Sequence, residues 1–264
     1  MITLTTGVAT LAIDPAAGGR LASLVVDGLE LLVTAADGAT DWGCFVMAPF
    51  AGRVRNGRFN FKGTEHQLPR NLPPHAIHGT VFDRPWTVEE QEPDRALLSC
   101  TLGPDWPFAG RVEHEVVVDD DAVELRIEVI ADDEPFPAAA GWHPWWRRRL
   151  RRGGPLAVDV DAESMWERGP DGIPTGELVP PPAGGPMDEC LTDLRRPAVL
   201  RWNGAIELTV ESTCDDLVLF DEPTHAVCVE PQTGPPDALR LTPVLVEPGW
   251  PLVAETTFRW ALVA

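Results

Sequence analysis

VEHEVVVDDDAVELRIEV, residues Val112 to Val129, is the stretch whose reading decides the fold. A first apolar segment, Val112 to Val118, ends at Asp119-Asp120-Asp121. Val123, Leu125, Ile127 and Val129 then alternate with Glu124, Arg126 and Glu128. Side chains on an extended chain point to opposite faces in turn, so this is a hairpin with one apolar and one wet face. His114 shares the parity of Val112 and Val116 and is expected inside, as a satisfied core histidine.

The same period runs outward in both directions. Val8 to Ile13 and Leu21 to Val26 flank Asp14-Pro15-Ala16-Ala17-Gly18-Gly19 and read as strand, turn, strand. Further strands are expected at Phe59–Phe61, Ala96–Leu102, Leu156–Val160, Ala198–Trp202, Glu207–Glu211, Leu217–Phe220, Val227–Glu230 and Ala254–Leu262. No 3.6-residue period persists beyond about two turns. With 27 prolines and 23 glycines cutting it into short pieces, the chain reads as all-β. The Pro/Gly-rich run Gly169–Pro186 has similar alternation on both sides, so it reads as a long surface loop rather than a linker. Residues 1–264 are therefore expected to form a single domain.

Charge removes whole classes of partner. With 21 Lys+Arg against 41 Asp+Glu, the net charge is −20, which repels nucleic-acid phosphates and anionic membranes. The N-terminus lacks a basic segment followed by a continuous apolar run, and nowhere do about 18 uninterrupted apolar residues occur. A cytoplasmic protein, working as a monomer or homodimer, is the expectation. The 5 cysteines, Cys44, Cys100, Cys190, Cys214 and Cys228, are odd in number and form no CxxC pair, so they read as small core residues rather than a disulfide scaffold or zinc knuckle.

Four stretches hold polar groups in unusual company. In Gly141-Trp142-His143-Pro144-Trp145-Trp146 a histidine sits among tryptophans. It is either a satisfied core histidine or the titratable group of a tryptophan-lined concavity that holds a sugar-like ring. In Pro49 to Phe59, Arg53 is a candidate fork for ligand hydroxyls or a surface ion-pair partner. Asn71 to Gly79 contains His75-x-x-His78; outside a helix these need not converge and no third ligand has matching spacing, so no metal is expected. His78 reads instead as a strand-end histidine whose following glycine gives backbone freedom or close approach to a ligand. In Cys228 to Asp237, Glu230 closes an apolar strand before a proline; partial desolvation there makes it a candidate general base.

Other chemistries lack their motifs: there is no GxGxxG, GxxxxGK[ST], GxSxG or HExxH. No cofactor is expected. The basic run Arg147-Arg148-Arg149-Leu150-Arg151-Arg152 reads as a solvated loop or as an anion site for a phosphorylated ligand.

Together these stretches resemble the aldose 1-epimerase (galactose mutarotase) family, in family order. Phe50 to Gly63 is similar to its arginine loop leading into a phenylalanine strand, Asn71 to Gly79 to its His-Gly, and Gly141 to Trp146 to its Gly-x-His-Pro-aromatic-aromatic. Met187-Asp188-Glu189 resembles its substrate-contacting aspartate, and Val229 to Thr233 its Glu-Pro. Gly52 departs from the pattern, standing where that loop commonly has asparagine. The resemblance implies a large antiparallel β-sandwich, the galactose mutarotase-like supersandwich. It implies His143 as general acid and Glu230 as general base in interconverting the anomers of an aldohexose, with Arg53, His78 and Asp188 binding sugar and no metal or nucleotide. Two other readings share the fold: a hexose-phosphate 1-epimerase, motivated by Arg147 to Arg152, and a non-catalytic sugar-binding module.

Overall fold

The alternating pattern builds two large antiparallel sheets. The computed structural model describes residues 1–263. The hairpin that opened the reading is formed by Gly110–Val118 and Ala122–Ala131, in register from Gly110↔Ala131 to Val118↔Val123. It lies within an eight-stranded sheet ordered Thr87–Gln91, Arg95–Thr101, Gly110–Val118, Ala122–Ala131, Leu252–Leu262, Ile206–Ser212, Ala198–Trp202, Leu156–Asp159. Its inward residues Val112, Val116, Val123, Ile127 and Val129 are fully buried. Each such side chain contributes roughly 1.5–3 kcal/mol relative to an exposed position.

The second sheet has eleven strands. Its main path runs Ile2–Thr5, Ala9–Asp14, Arg20–Val26, Cys44–Met47, Gly141–Arg147, Ala226–Gln232, Asp216–Phe220, Asp188–Leu194, Ala162–Arg168, Pro174–Val179, and Leu29–Glu30 pairs beside Arg20–Val26. Large side chains such as Trp142, Trp146, Trp202 and Phe258 are fully buried in one core cluster. Trp146 meets Phe258 of the smaller sheet edge-on, with ring centroids 5.0 Å apart. His114 is inside, as its parity requires, and its Nε2 accepts the indole N–H of Trp142 at 3.1 Å.

Two expectations need correction. Gly169–Pro186 is not all loop: Pro174–Val179 is an edge strand paired with Ala162–Arg168. Its residues are mostly exposed, so it carries no apolar alternation, and its opening proline suits an edge. Glu230 does not end its strand, which continues through Pro231 to Gln232. Among the described residues, helix is confined to Ala238–Leu241 and two short 3-10 turns. Among the described residues no helix is long and apolar enough to cross a membrane.

Candidate active site

The Gly141–Arg147 strand runs through the middle of the larger sheet, between Cys44–Met47 and Ala226–Gln232. Period two sorts its aromatics. Trp142 and Trp146 point into the inter-sheet core, and His143 and Trp145 face the other way, into a cleft of about 360 Å³. The tryptophan-lined concavity therefore reduces, for this strand, to Trp145 alone.

Pairing with Ala226–Gln232 holds at Gly141↔Gln232 and at Trp145↔Cys228 in one register, which sets His143 opposite Glu230. Between those points Pro144 and Pro231 have no N–H to give, so the ladder is interrupted. His143 Nε2 lies 3.2 Å from Glu230 Oε1. Both residues are buried, at 5% and 3% exposure. Phe45, opposite His143 on its other flank, stacks on the imidazole at 4.7 Å, and Trp145 stacks at 5.5 Å. The row continues from Glu230 to Val218 and Cys190; the next row runs Trp145, Cys228, Phe220, Asp188.

Burial sets the electrostatics. It drives the Glu230 carboxyl well above the usual carboxylate range, with Asp188 adding to the rise and Arg53 opposing it. It also pushes the His143 imidazole far below its ordinary value. The pair is thus an uncharged unit that holds one proton over a wide pH range. His78 is likewise lowered by burial, then by His143 and Arg53.

Arg53, His78 and Asp188 line the same cleft, so all of the residues expected from the sequence converge. The His78 ring stands edge-on to His143, centroids 5.0 Å apart. Its backbone adopts φ 62°, a left-handed conformation that side chains other than glycine avoid, and Gly79 follows at φ 82°. A Cβ on Gly79 would lie 1.9 Å from the Ala48 carbonyl oxygen, so only glycine fits where Thr80 N–H bonds that same oxygen at 2.9 Å. Gly52 is similarly constrained: at φ 61°, a Cβ there would meet the Pro236 ring at 2.9 Å.

Asp188 Oδ2 accepts from Arg168 Nη2 at 2.7 Å and lies 3.8 Å from Arg53 Nη1. Arg168 and Trp166 line the cleft and were not singled out from the sequence. Both sit on Ala162–Arg168, a strand of mostly half-exposed residues with little apolar signal; a lone tryptophan among charges was the available clue. Trp166 donates its indole N–H at 2.7 Å to Asp216, whose carboxyl burial pushes up to about 6.

Two other stretches are turned away from the cleft chemistry. His75 Nδ1 accepts the Asn56 N–H at 3.1 Å and its Nε2 faces the Asp171 carbonyl at 3.2 Å, so both nitrogens are engaged by backbone. In the basic run, Arg147 donates to the Leu32 carbonyl at 2.6 Å, Arg148 to the Pro223 carbonyl at 2.7 Å, and Arg152 pairs with Asp27. These arginines tie loops to the end of the His143 strand and do not line the cleft.

Comparison with known proteins agrees with this architecture. A relative from Escherichia coli (strain K12), the uncharacterized protein YphB, is 30% identical over 111 residues, 41% of this chain and 38% of the relative. The chain thus matches well under half the length of that curated relative. A galactose mutarotase-like protein from Clostridium acetobutylicum superposes with a TM-score of 0.86 at 16% identity, covering 99% of this chain and 95% of the other. The GalM/aldose epimerase homologue from C. elegans gives a TM-score of 0.85 at 18% identity, covering 100% and 99%. At these identities the likeness is one of fold. Residues 1–238, however, match the aldose 1-epimerase family itself, and the chain belongs to that family.

Proposed function

We propose that this protein is an isomerase that interconverts the α and β anomers of an aldohexose, residues 1–264 acting as one unit. The observation that carries the reading is the buried His143–Glu230 contact at 3.2 Å on the floor of a cleft rimmed by Arg53, His78 and Asp188. A carboxylate and an imidazole sharing one proton can take a proton at one oxygen of a hemiacetal and return one at another.

Glu230 accepts the proton of the anomeric hydroxyl while His143, in its imidazolium form, donates to the ring oxygen. The C1–O5 bond breaks and C1 becomes the aldehyde carbon. Rotation about C1–C2 presents the other face, the ring hydroxyl attacks, and the two protons return along the same path. Burial favours the neutral arrangement of the pair, with the proton on Glu230. A hydroxyl donating to Glu230 and a ring oxygen accepting from His143 favour the charge-separated one, so the active form is selected by substrate. Arg53, with guanidinium donors to spare beside Asp188, and Asp188 itself suit neighbouring sugar hydroxyls.

A phosphorylated aldose is the second reading. The motive for it moves from Arg147–Arg152, which lies outside the cleft, to Arg53 and Arg168 within it. Polarimetry on freshly dissolved α-D-glucose and α-D-galactose, with wild type, Glu230→Gln and His143→Asn, tests the main reading. Wild type no faster than buffer on any aldose would end it. A marked preference for a hexose phosphate that fades with salt would favour the second reading.

A further inference from the structure

His143 and Glu230 on the cleft floor meet a third side chain with a metal-binding atom, Cys228, which is fully buried beside them. Cys228 and Glu230 are two residues apart on one strand and share its cleft-side face, and His143 stands opposite Glu230 on the neighbouring strand. An imidazole nitrogen of His143, Cys228 Sγ and a Glu230 carboxylate oxygen all lie within 4.8 Å of one another, and all three residues are buried. This is the one such group among the described residues. It comes from cross-strand register and strand alternation, with no contribution from loops.

The spacing is close to what a zinc-class ion demands. With bonds of about 2.0–2.1 Å to nitrogen or oxygen and about 2.3 Å to sulfur, a tetrahedral centre holds its ligand atoms roughly 3.3–3.6 Å apart. His143 Nε2 and Glu230 Oε1 are already 3.2 Å apart, so the chief adjustment falls on the Cys228 side chain. The donor set is one nitrogen, one sulfur and one oxygen. That combination selects thiophilic divalent ions such as zinc or cadmium over magnesium and calcium, which prefer all-oxygen shells. Three protein ligands leave the fourth position for water on the cleft side, where His143 and Glu230 are reached from solvent.

We propose that His143, Cys228 and Glu230 form a binding site for a thiophilic divalent cation, and that its occupancy switches off the acid/base pair. On binding, the Cys228 thiol releases its proton to solvent. Glu230 coordinates as a carboxylate, giving up any proton it held, and His143 binds through the lone pair of an unprotonated nitrogen. The proton that the pair shuttles is gone, and the lone pairs that handled it are held by the ion. Binding itself follows from the three side chains alone; the inhibition rests on the isomerase reading above. Cys228 takes no part in the proton transfers, so its replacement separates metal binding from catalysis.

Cadmium titrated into the intact chain gives the test, followed by thiolate-to-metal charge-transfer absorption and by calorimetry, with mutarotation assayed in parallel and with EDTA to reverse it. Wild type is expected to bind one cadmium per chain at this site, with a charge-transfer band and loss of activity. Cys228→Ala should keep the uninhibited rate, lose that band, and bind cadmium at least about tenfold more weakly, as loss of a ligand costs no less than loss of a supporting partner. Cys228→Ser, closer in volume, serves the same purpose if the alanine variant does not fold. Identical titrations of wild type and both variants would overturn the inference even with mutarotation intact. Conversely, a cadmium site lost in the Cys228 variants of a protein that mutarotates no sugar would leave this site standing and remove the isomerase reading.

Discussion

His143 Nε2 and Glu230 Oε1 lie 3.2 Å apart across two neighbouring strands, brought opposite each other by matched pairing on either side of them. In the proposed mechanism, Glu230→Gln keeps the shape and removes the base, and His143→Asn removes the acid. Each should lower kcat/KM for mutarotation by about 10²–10⁴-fold, the range for losing a positioned acid or base. A variant as fast as wild type would displace that residue from the chemistry.

The pH profile follows from the directions of the two shifts. Glu230 is raised and His143 lowered, both by burial, so the one-proton state spans neutrality. Activity should fall at acid pH when a second proton joins the pair, and at alkaline pH when the last one leaves. Between these limbs kcat/KM measured by polarimetry should be flat across neutral pH. A sharp optimum near an ordinary histidine value would contradict the shared-proton arrangement.

Arg168 holds Asp188 at 2.7 Å on the rim and does not touch the pair. Arg168→Ala should therefore raise KM by roughly three- to tenfold, about 1 kcal/mol of lost positioning, with kcat less affected. A fall in kcat alone would assign Arg168 a different role.

Backbone strain at His78 and Gly79 separates two effects. Gly79→Ala forces a Cβ to within 1.9 Å of the Ala48 carbonyl oxygen, so destabilisation of at least about 2 kcal/mol is expected in urea unfolding. Asparagine, like histidine, is among the residues that tolerate the left-handed region. His78→Asn should thus unfold within about 1 kcal/mol of wild type while binding sugar more weakly.

Asp216 carries a stability signature. Its folded pKa of about 6 exceeds the ordinary 3.8, so the fold binds this proton more tightly than the unfolded chain does. The stabilisation is complete below the ordinary value and lost as pH rises through the folded one. Asp216→Asn, which keeps an acceptor for Trp166, has nothing to lose there. Its stability relative to wild type should rise between about pH 4 and pH 7, by up to about 3 kcal/mol at 1.36 kcal/mol per pKa unit. A constant difference across that range would refute the buried, raised carboxyl.

Legibility from sequence tracked burial on one face. The Val112–Val129 hairpin was plain because one face is dry and the other wet, and Ala198–Trp202 was bounded as observed for the same reason. Pro174–Val179 was hidden because neither of its faces is substantially buried. Cys44–Met47 was hidden for the opposite reason, being buried on both faces with no alternation to read. Arg53, His78, His143 and Glu230 stand out by residue type beside glycine or proline and by their family order, and Asp188 by the family order alone. Arg168, although it precedes Gly169, and Trp166 match no family stretch, and their place in the cleft comes from a strand pairing that only the folded chain reveals. The basic run left two readings open, because arginines that bond carbonyls look, in sequence, like solvated arginines or like arginines awaiting an anion.

The hydrogen bond from Trp142 to His114 is a polar link within an otherwise oily seam between the sheets. Apolar surfaces can slide past one another at little cost, whereas a donor and an acceptor buried in that seam must stay aligned or go unsatisfied. The bond therefore acts as a dowel that fixes the sliding position of the two layers. Because Trp142 directly precedes His143, the bond anchors the strand that carries the imidazole from that strand's reverse face.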